Sequence, residues 1–100
     1  MHRVCRLDEI SPGRAFQANV DDEDIVLVRE GDNVYALRDN CSHQDFPLSL
    51  GQVSPGRIRC AAHGSEFDLY TGRALNAPAF APVKIYPVTI QDGDVYVDVG

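Results

Sequence analysis

The chain is short of cysteine, of positive charge and of long apolar runs, and each shortage removes a class of protein. Three cysteines in 100 residues are too few for the disulfide framework of a small secreted domain. No apolar stretch approaches the ~20 residues of a membrane-spanning helix, so no membrane association is expected. The start, Met1-His2-Arg3-Val4-Cys5-Arg6 followed by Leu7-Asp8-Glu9, has no apolar signal-peptide core, which makes the cytoplasm the expected compartment. A formal net charge of −6 disfavours nucleic acid and anionic lipid as partners. There is no G-x-G-x-x-G, so neither nicotinamide nor flavin is expected to bind this chain itself. No internal repeat, linker or sustained 3.6-residue period is present, which points to one strand-rich domain over residues 1–100.

What is there reads as short strands. Val4-Cys5-Arg6-Leu7 is strand-like, with Cys5 expected as a small core hydrophobe carrying a free thiol. Leu7 to Ser11 suits one helical turn, and Arg14 to Val20 a strand. Ile25-Val26-Leu27-Val28, the turn Gly31-Asp32-Asn33 and Val34-Tyr35-Ala36-Leu37 read as a hairpin leading to Cys41. The acidic run Asp21-Asp22-Glu23-Asp24 is expected as a solvated turn between strands. Near the end, Val83 to Ile90 alternates as one strand. Asp92-Gly93 is a hairpin turn, and Val95 to Val99 alternates again. The middle differs, being rich in Gly, Pro and Ser, with short strands expected at Arg57–Cys60 and Glu66–Leu69 and a turn at Tyr70 to Arg73. The expected fold class is all-β. An antiparallel β-sandwich or barrel base (1–40 and 83–100) carries a small inserted subdomain (41–82) that bears the site.

The chemistry lies in two short pairs, Cys41-Ser42-His43 and Cys60-Ala61-Ala62-His63, separated by the 16 residues Gln44 to Arg59. A mixed thiolate and imidazole set suits iron–sulfur or zinc chemistry. Structural zinc sites usually take two cysteines from one element and two histidines from another. Here each loop supplies one of each, and C-x-H is tight for two ligands on one tetrahedral ion. It suits two adjacent irons, with both cysteines on one and both histidines on the other, as in a Rieske 2Fe–2S cluster. A zinc-stabilised interaction module remains the alternative, and a red-brown colour with an iron–sulfur spectrum decides against it.

At these residues the chain resembles Rieske-type ferredoxins along nearly its whole length. Cys41-Ser42-His43 and Cys60-Ala61-Ala62-His63-Gly64 match the two ligand loops. The stretch Phe67 to Leu75 is similar to the hairpin that follows, and Asn76-Ala77-Pro78-Ala79 to the proline loop covering the cluster's third side. The resemblance implies one 2Fe–2S cluster held by Cys41, His43, Cys60 and His63, with Ser65, Gly64 and Pro78 around it. Phe46 and Ala62 stand where quinol-oxidising relatives carry a disulfide, and no segment leaves room for the second domain of a terminal oxygenase. It therefore implies a non-catalytic, monomeric electron carrier. The implied donor is a flavin-containing NAD(P)H ferredoxin reductase and the implied acceptor the terminal oxygenase of an aromatic-ring-hydroxylating dioxygenase system. The small Rieske-like subunit of an assimilatory nitrite reductase is the competing member of the family.

Charge accounting gives the ligand set its purpose. Two ferric ions, two sulfides and two thiolates leave a neutral site, so uptake of an electron gives −1 rather than the −3 of an all-cysteine cluster. Potentials of roughly −150 to +300 mV follow, against about −400 mV for plant-type ferredoxins. In high-potential relatives a serine and a tyrosine two residues later donate towards cluster sulfur. Here Ser65 is present but Phe67 replaces the tyrosine, so the lower half of that range is expected. Phe46, Pro47 and Pro78 are candidates for an apolar rim around the cluster.

Overall fold

The computed structural model describes residues 1–42, 46–62, 64–77 and 81–99. Ten strands form three antiparallel sheets among them. The first sheet has the order β1 (His2–Arg6), β10 (Asp94–Val97), β9 (Val88–Gln91). The second has the order β2 (Ala15–Val20), β3 (Glu23–Glu30), β4 (Asn33–Arg38), β8 (Ile85–Tyr86). The third is the meander β5 (Gln52–Ser54), β6 (Arg57–Arg59), β7 (Glu66–Asp68). The helical content among the described residues is two short 3-10 turns, Leu7–Glu9 and Leu48–Leu50. The fold is all-β, as expected.

The second sheet lies between two cores, and β3 shows why. Ile25 to Val28 is continuously apolar because both faces are covered, and all four side chains are fully buried. Val26 and Val28 join Leu37, Cys41, Leu48, Ile58, Cys60 and Phe67 in one cluster. Ile25 and Leu27 join Cys5, Ile10, Ala36, Val95 and Val97 in the other. The first cluster therefore fastens the third sheet and both motif cysteines to the second sheet. Cys5 is a buried free cysteine, as expected, and burial is the main cause that pushes its thiol up from the ordinary value, with Glu9 adding to it.

Two expectations are corrected. Val83 to Ile90 is not one strand. Ile85 and Tyr86 pair with β4 at Leu37 and Ala36, whereas Val88–Gln91 pairs with β10 in the first sheet. Pro87 stands at the crossing, where a residue without an N–H ends one ladder and lets the chain change sheets. The acidic run is only half a turn. Asp21 and Asp22 take φ of 51° and 62° at the hairpin tip, while Glu23 and Asp24 are already in β3. Its members are also engaged: His2 Nε2 lies 2.9 Å from Asp21, Asn19 donates to Asp24, and the Tyr86 hydroxyl donates to Glu23.

One carboxylate ties the third sheet to the second at the end of β3. Glu30 accepts the Gly56 N–H at 2.6 Å and the Tyr70 hydroxyl at 2.7 Å. The Tyr35 and Tyr70 rings meet edge to face, with centroids 4.9 Å apart. The Glu30 hydrogen bond is the main cause that pushes the Tyr70 hydroxyl up to about 12. This raised value favours the folded state below about pH 10 and is lost as pH climbs towards 12, because the folded protein then holds the proton longer than the unfolded chain. Phenolate absorbance should show one tyrosine ionising near 12, and Glu30→Gln should bring it down towards 10. A Tyr70 titration unmoved by Glu30→Gln contradicts the tie.

Candidate metal centre

The first motif loop leaves β4 at Arg38 and is held at its base by a buried acid. Asp39 accepts the Ser49 N–H and the Ser49 hydroxyl, each at 2.7 Å, and its own N–H donates to Asp24. These bonds fix the chain just before Cys41 to the 3-10 turn that follows the loop. The Cys41 N–H donates to the Phe46 carbonyl at 2.9 Å, which closes the loop on itself. Cys41 is only 3% exposed. Phe46 packs against the same core and stays half-buried, so core packing accounts for it at least in part.

The second loop joins β6 to β7. The Cys60 N–H donates to Ser65 O at 2.7 Å, and the Gly64 N–H returns to Cys60 O at 2.9 Å. This tight closure needs a left-handed residue, and Gly64 supplies φ 73°. Cys60 and Ser65 are both 0% exposed, while Ala61 and Ala62 face solvent. The two loops approach through Gly51. A Cβ there would lie 1.8 Å from the Arg59 carbonyl oxygen, so only glycine lets the exit of the first loop pass over the residue before Cys60. Its φ of −86° is ordinary, which makes close approach rather than conformation the reason for glycine.

Residues 74–77 and 81–83 are tied to the two loops. The Leu75 N–H donates to Glu66 O, and Asn76 accepts the Glu66 N–H at 2.7 Å and donates back to its carboxylate. At the far end the Ser42 hydroxyl donates to Ala81 O at 2.6 Å. Of the residues expected to form the site, Cys41 and Cys60 share one core cluster, and Gly64 and Ser65 close the second loop on Cys60. His43, His63 and Pro78 lie outside the described residues. The polar ties made by Ser42, Asp39 and Asn76 were missed by sequence reasoning, although Ser42 stands in the C-x-H pair and Asn76 opens the stretch resembling the proline loop.

The described residues fit a neutral iron–sulfur cluster. Two buried free thiols from two loops share one apolar core, with no disulfide between them. Such a pocket disfavours a highly charged metal complex and suits two thiolates with two neutral imidazoles. Among the described residues no group of three or more His, Cys, Asp or Glu gathers as a metal site, and His43 and His63 lie outside them.

An all-β fold that buries two free thiols from separate loops in one core fits an iron–sulfur electron-transfer protein. The family described as "Rieske [2Fe-2S] domain" matches residues 1–87, and the chain belongs to that family and carries one Rieske 2Fe–2S cluster. The anthranilate 1,2-dioxygenase ferredoxin subunit of Burkholderia cepacia is 35% identical over 99 residues, covering 99% of this chain and 92% of its own. The ferredoxin of carbazole 1,9a-dioxygenase from Nocardioides aromaticivorans IC177 superposes with a TM-score of 0.93 at 34% identity, covering 96% of this chain and 94% of its own. A chain in the complex of reduced oxygenase and oxidized ferredoxin in carbazole 1,9a-dioxygenase superposes at 0.92 with 32% identity, covering 97% of this chain and 100% of that one. A putative NADPH nitrite reductase small subunit shares the fold, with a TM-score of 0.85 at 22% identity over 98% of this chain and 97% of its own. These dioxygenase relatives are ferredoxin components, electron carriers rather than catalysts. No helix among the described residues is long and apolar enough to cross a membrane.

Proposed function

We propose that this protein is the ferredoxin component of an aromatic-ring-hydroxylating dioxygenase system. It takes single electrons from a flavin-containing NAD(P)H reductase and delivers them to the terminal oxygenase, as a cytoplasmic monomer. The observation that carries this reading is end-to-end similarity to dioxygenase ferredoxin subunits, at 35% identity over 99 residues. The nitrite reductase reading is the weaker one, with small subunits at 22% and 25% identity behind it. Stable co-purification with a large sirohaem subunit is the result that would favour it.

In this reading the molecule is one domain, with a base of residues 1–40 and 83–100 and a cluster-binding subdomain of 41–82. Cys41 and Cys60 would hold one iron and His43 and His63 the other, and the family resemblance assigns Pro78 to the loop on the third side. When bound, the cluster accepts and releases one electron. The chain's own residues bury the thiolate side against Leu48, Ile58 and Phe67 and keep water from it. The Ser42 bond to Ala81 O and the Asp39 bonds to Ser49 hold the first loop in place before and after the transfer.

Ser65 is fully buried beside Cys60 and is the hydroxyl this reading assigns to the cluster sulfurs, while Phe67 has no hydroxyl to add. The midpoint potential should therefore fall in the lower half of the roughly −150 to +300 mV range. Ser65→Ala should lower it by roughly 60 mV or less, the equivalent of a tenfold change for one electron. A redox titration with a midpoint well above zero contradicts this. The function itself is tested by reconstitution with NADH, a candidate reductase and a candidate oxygenase. Product should appear only when all components are present, and oxygenase turnover at full rate without this protein would refute the assignment.

A further inference from the structure

Charge is unevenly divided in this chain. Residues 46–84 carry four basic side chains and two acids, Glu66 and Asp68. Residues 1–42 and 85–99 carry five arginines and twelve acids. Ion pairs occupy cations in both parts. Arg3 lies 3.2 Å from Asp94, Arg6 3.6 Å from Asp94, Arg29 3.6 Å from Asp32 and Arg57 3.2 Å from Glu66. Among the described residues, no carboxylate forms an ion pair with Arg59, Lys84 or Arg38.

Those three cations flank the motif loops. Arg59 lines a groove beside the second loop with Cys60, Ala61 and Leu50, and Leu50 is 66% exposed. Its guanidinium lies over Gly64, where a Cβ would come within 2.9 Å of Nη2. Arg38 and Lys84 line a groove beside the first loop with Cys41 and Ser42. Asp45, the one acid of the first loop by sequence, is outside the described residues. Charges beyond about 10 Å are largely screened at 0.1 M salt. Arg59, Arg38 and Lys84 line the grooves beside Cys60 and Cys41, so their charges act directly on a molecule arriving there.

Resting on the carrier reading above, we propose that this protein meets its redox partner with a cationic face. Arg59 stands on one side of the cluster loops and Arg38 with Lys84 on the other, and the partner it fits is a protein with carboxylates around its electron-transfer site. The exposed Leu50 side chain gives that face an apolar contact between charges. Few and rim-placed charges suit a small, short-lived interface and act mainly on the association rate.

The test uses the intact reduced holoprotein and two inorganic oxidants of opposite charge, ferricyanide (3−) and hexaamminecobalt(III) (3+). Each takes one electron, giving ferrocyanide or hexaamminecobalt(II). Between about 0.05 and 0.3 M ionic strength the ferricyanide rate should fall several-fold, as screening weakens an attraction, and the cobalt rate should rise. Arg59→Glu and Lys84→Glu should each slow ferricyanide about threefold and speed the cobalt complex by a similar factor. Asp8→Lys changes net charge by as much, at an exposed site in the Leu7–Glu9 turn, which is bonded to the β9–β10 turn, and should leave both rates nearly unchanged. A ferricyanide rate that rises with salt, or an Asp8→Lys effect equal to that of Arg59→Glu, would mean that net charge governs and would overturn the proposal. If Arg59→Glu loses the visible cluster spectrum, Lys84→Glu carries the comparison. A protein that gives electrons to neither oxidant removes the carrier reading itself, whereas transfer with reversed salt dependence removes only the cationic face.

Discussion

Replacing either Cys41 or Cys60 by serine should abolish the visible iron–sulfur spectrum and leave less than roughly a tenth of the wild-type iron. A serine hydroxyl is a hard, protonated donor at neutral pH and does not substitute for a thiolate on iron. Both positions are buried, at 3% and 0% exposure, so each variant also buries a polar hydroxyl in an apolar cluster, a cost of about 1–3 kcal/mol. Loss of the cluster adds to that cost, because a bound group that the unfolded chain cannot hold stabilises the folded state. Cys5→Ser separates the two effects. Cys5 is equally buried, at 3%, but belongs to the other core. It should lose about 1–3 kcal/mol and keep all its iron. Iron and acid-labile sulfide analysis with a spectrum of each variant checks this, and a Cys60→Ser protein with normal iron would contradict the assignment.

Gly51→Ala should be nearly as damaging, by a different route. The new Cβ would sit 1.8 Å from the Arg59 carbonyl oxygen and 2.9 Å from its carbon. Neither atom can yield, because Arg59 is paired on both sides, to Gln52 in β5 and to Glu66 in β7. The two strands must part, and with them the loop exits that bring Cys41 and Cys60 together. A loss above about 3 kcal/mol is expected, which for a chain of this size lowers the melting temperature by more than roughly 10 °C. Gly31→Ala provides the contrast. Gly31 has φ 61° but nothing within 4 Å of a Cβ, so only the conformational cost of about 1 kcal/mol applies. Thermal melts that rank the two variants the other way would show that space at Gly51 is not the constraint.

The parts of this molecule that could be read from the chain are those written locally. The buried run Ile25–Val28, the Asp92-Gly93 turn and the two Cys/His pairs each carry their signal within a few residues. The strand β5 was missed because Gln52-Val53-Ser54 offers one apolar residue and no alternation to count. The division of Val83–Ile90 between two sheets was missed because period-2 patterning is the same whichever sheet a strand joins. Least legible were the polar ties that position the site. Ser42 reaches Ala81 across 39 residues, and Glu30 reaches Tyr70 across 40. Such contacts leave no periodic trace, since one hydroxyl or one carboxylate looks the same in sequence whether it meets solvent or a distant carbonyl.

The central claim is an iron pair held unequally, by two thiolates on one side and by His43 and His63 on the other. Pulsed electron paramagnetic resonance of the reduced protein, grown with nitrogen-15 histidine, measures this directly. Two histidine nitrogens strongly coupled to the cluster spin, with one lost in the His43→Cys and one in the His63→Cys variant, are expected. A reduced cluster with no coupled histidine nitrogen would contradict it.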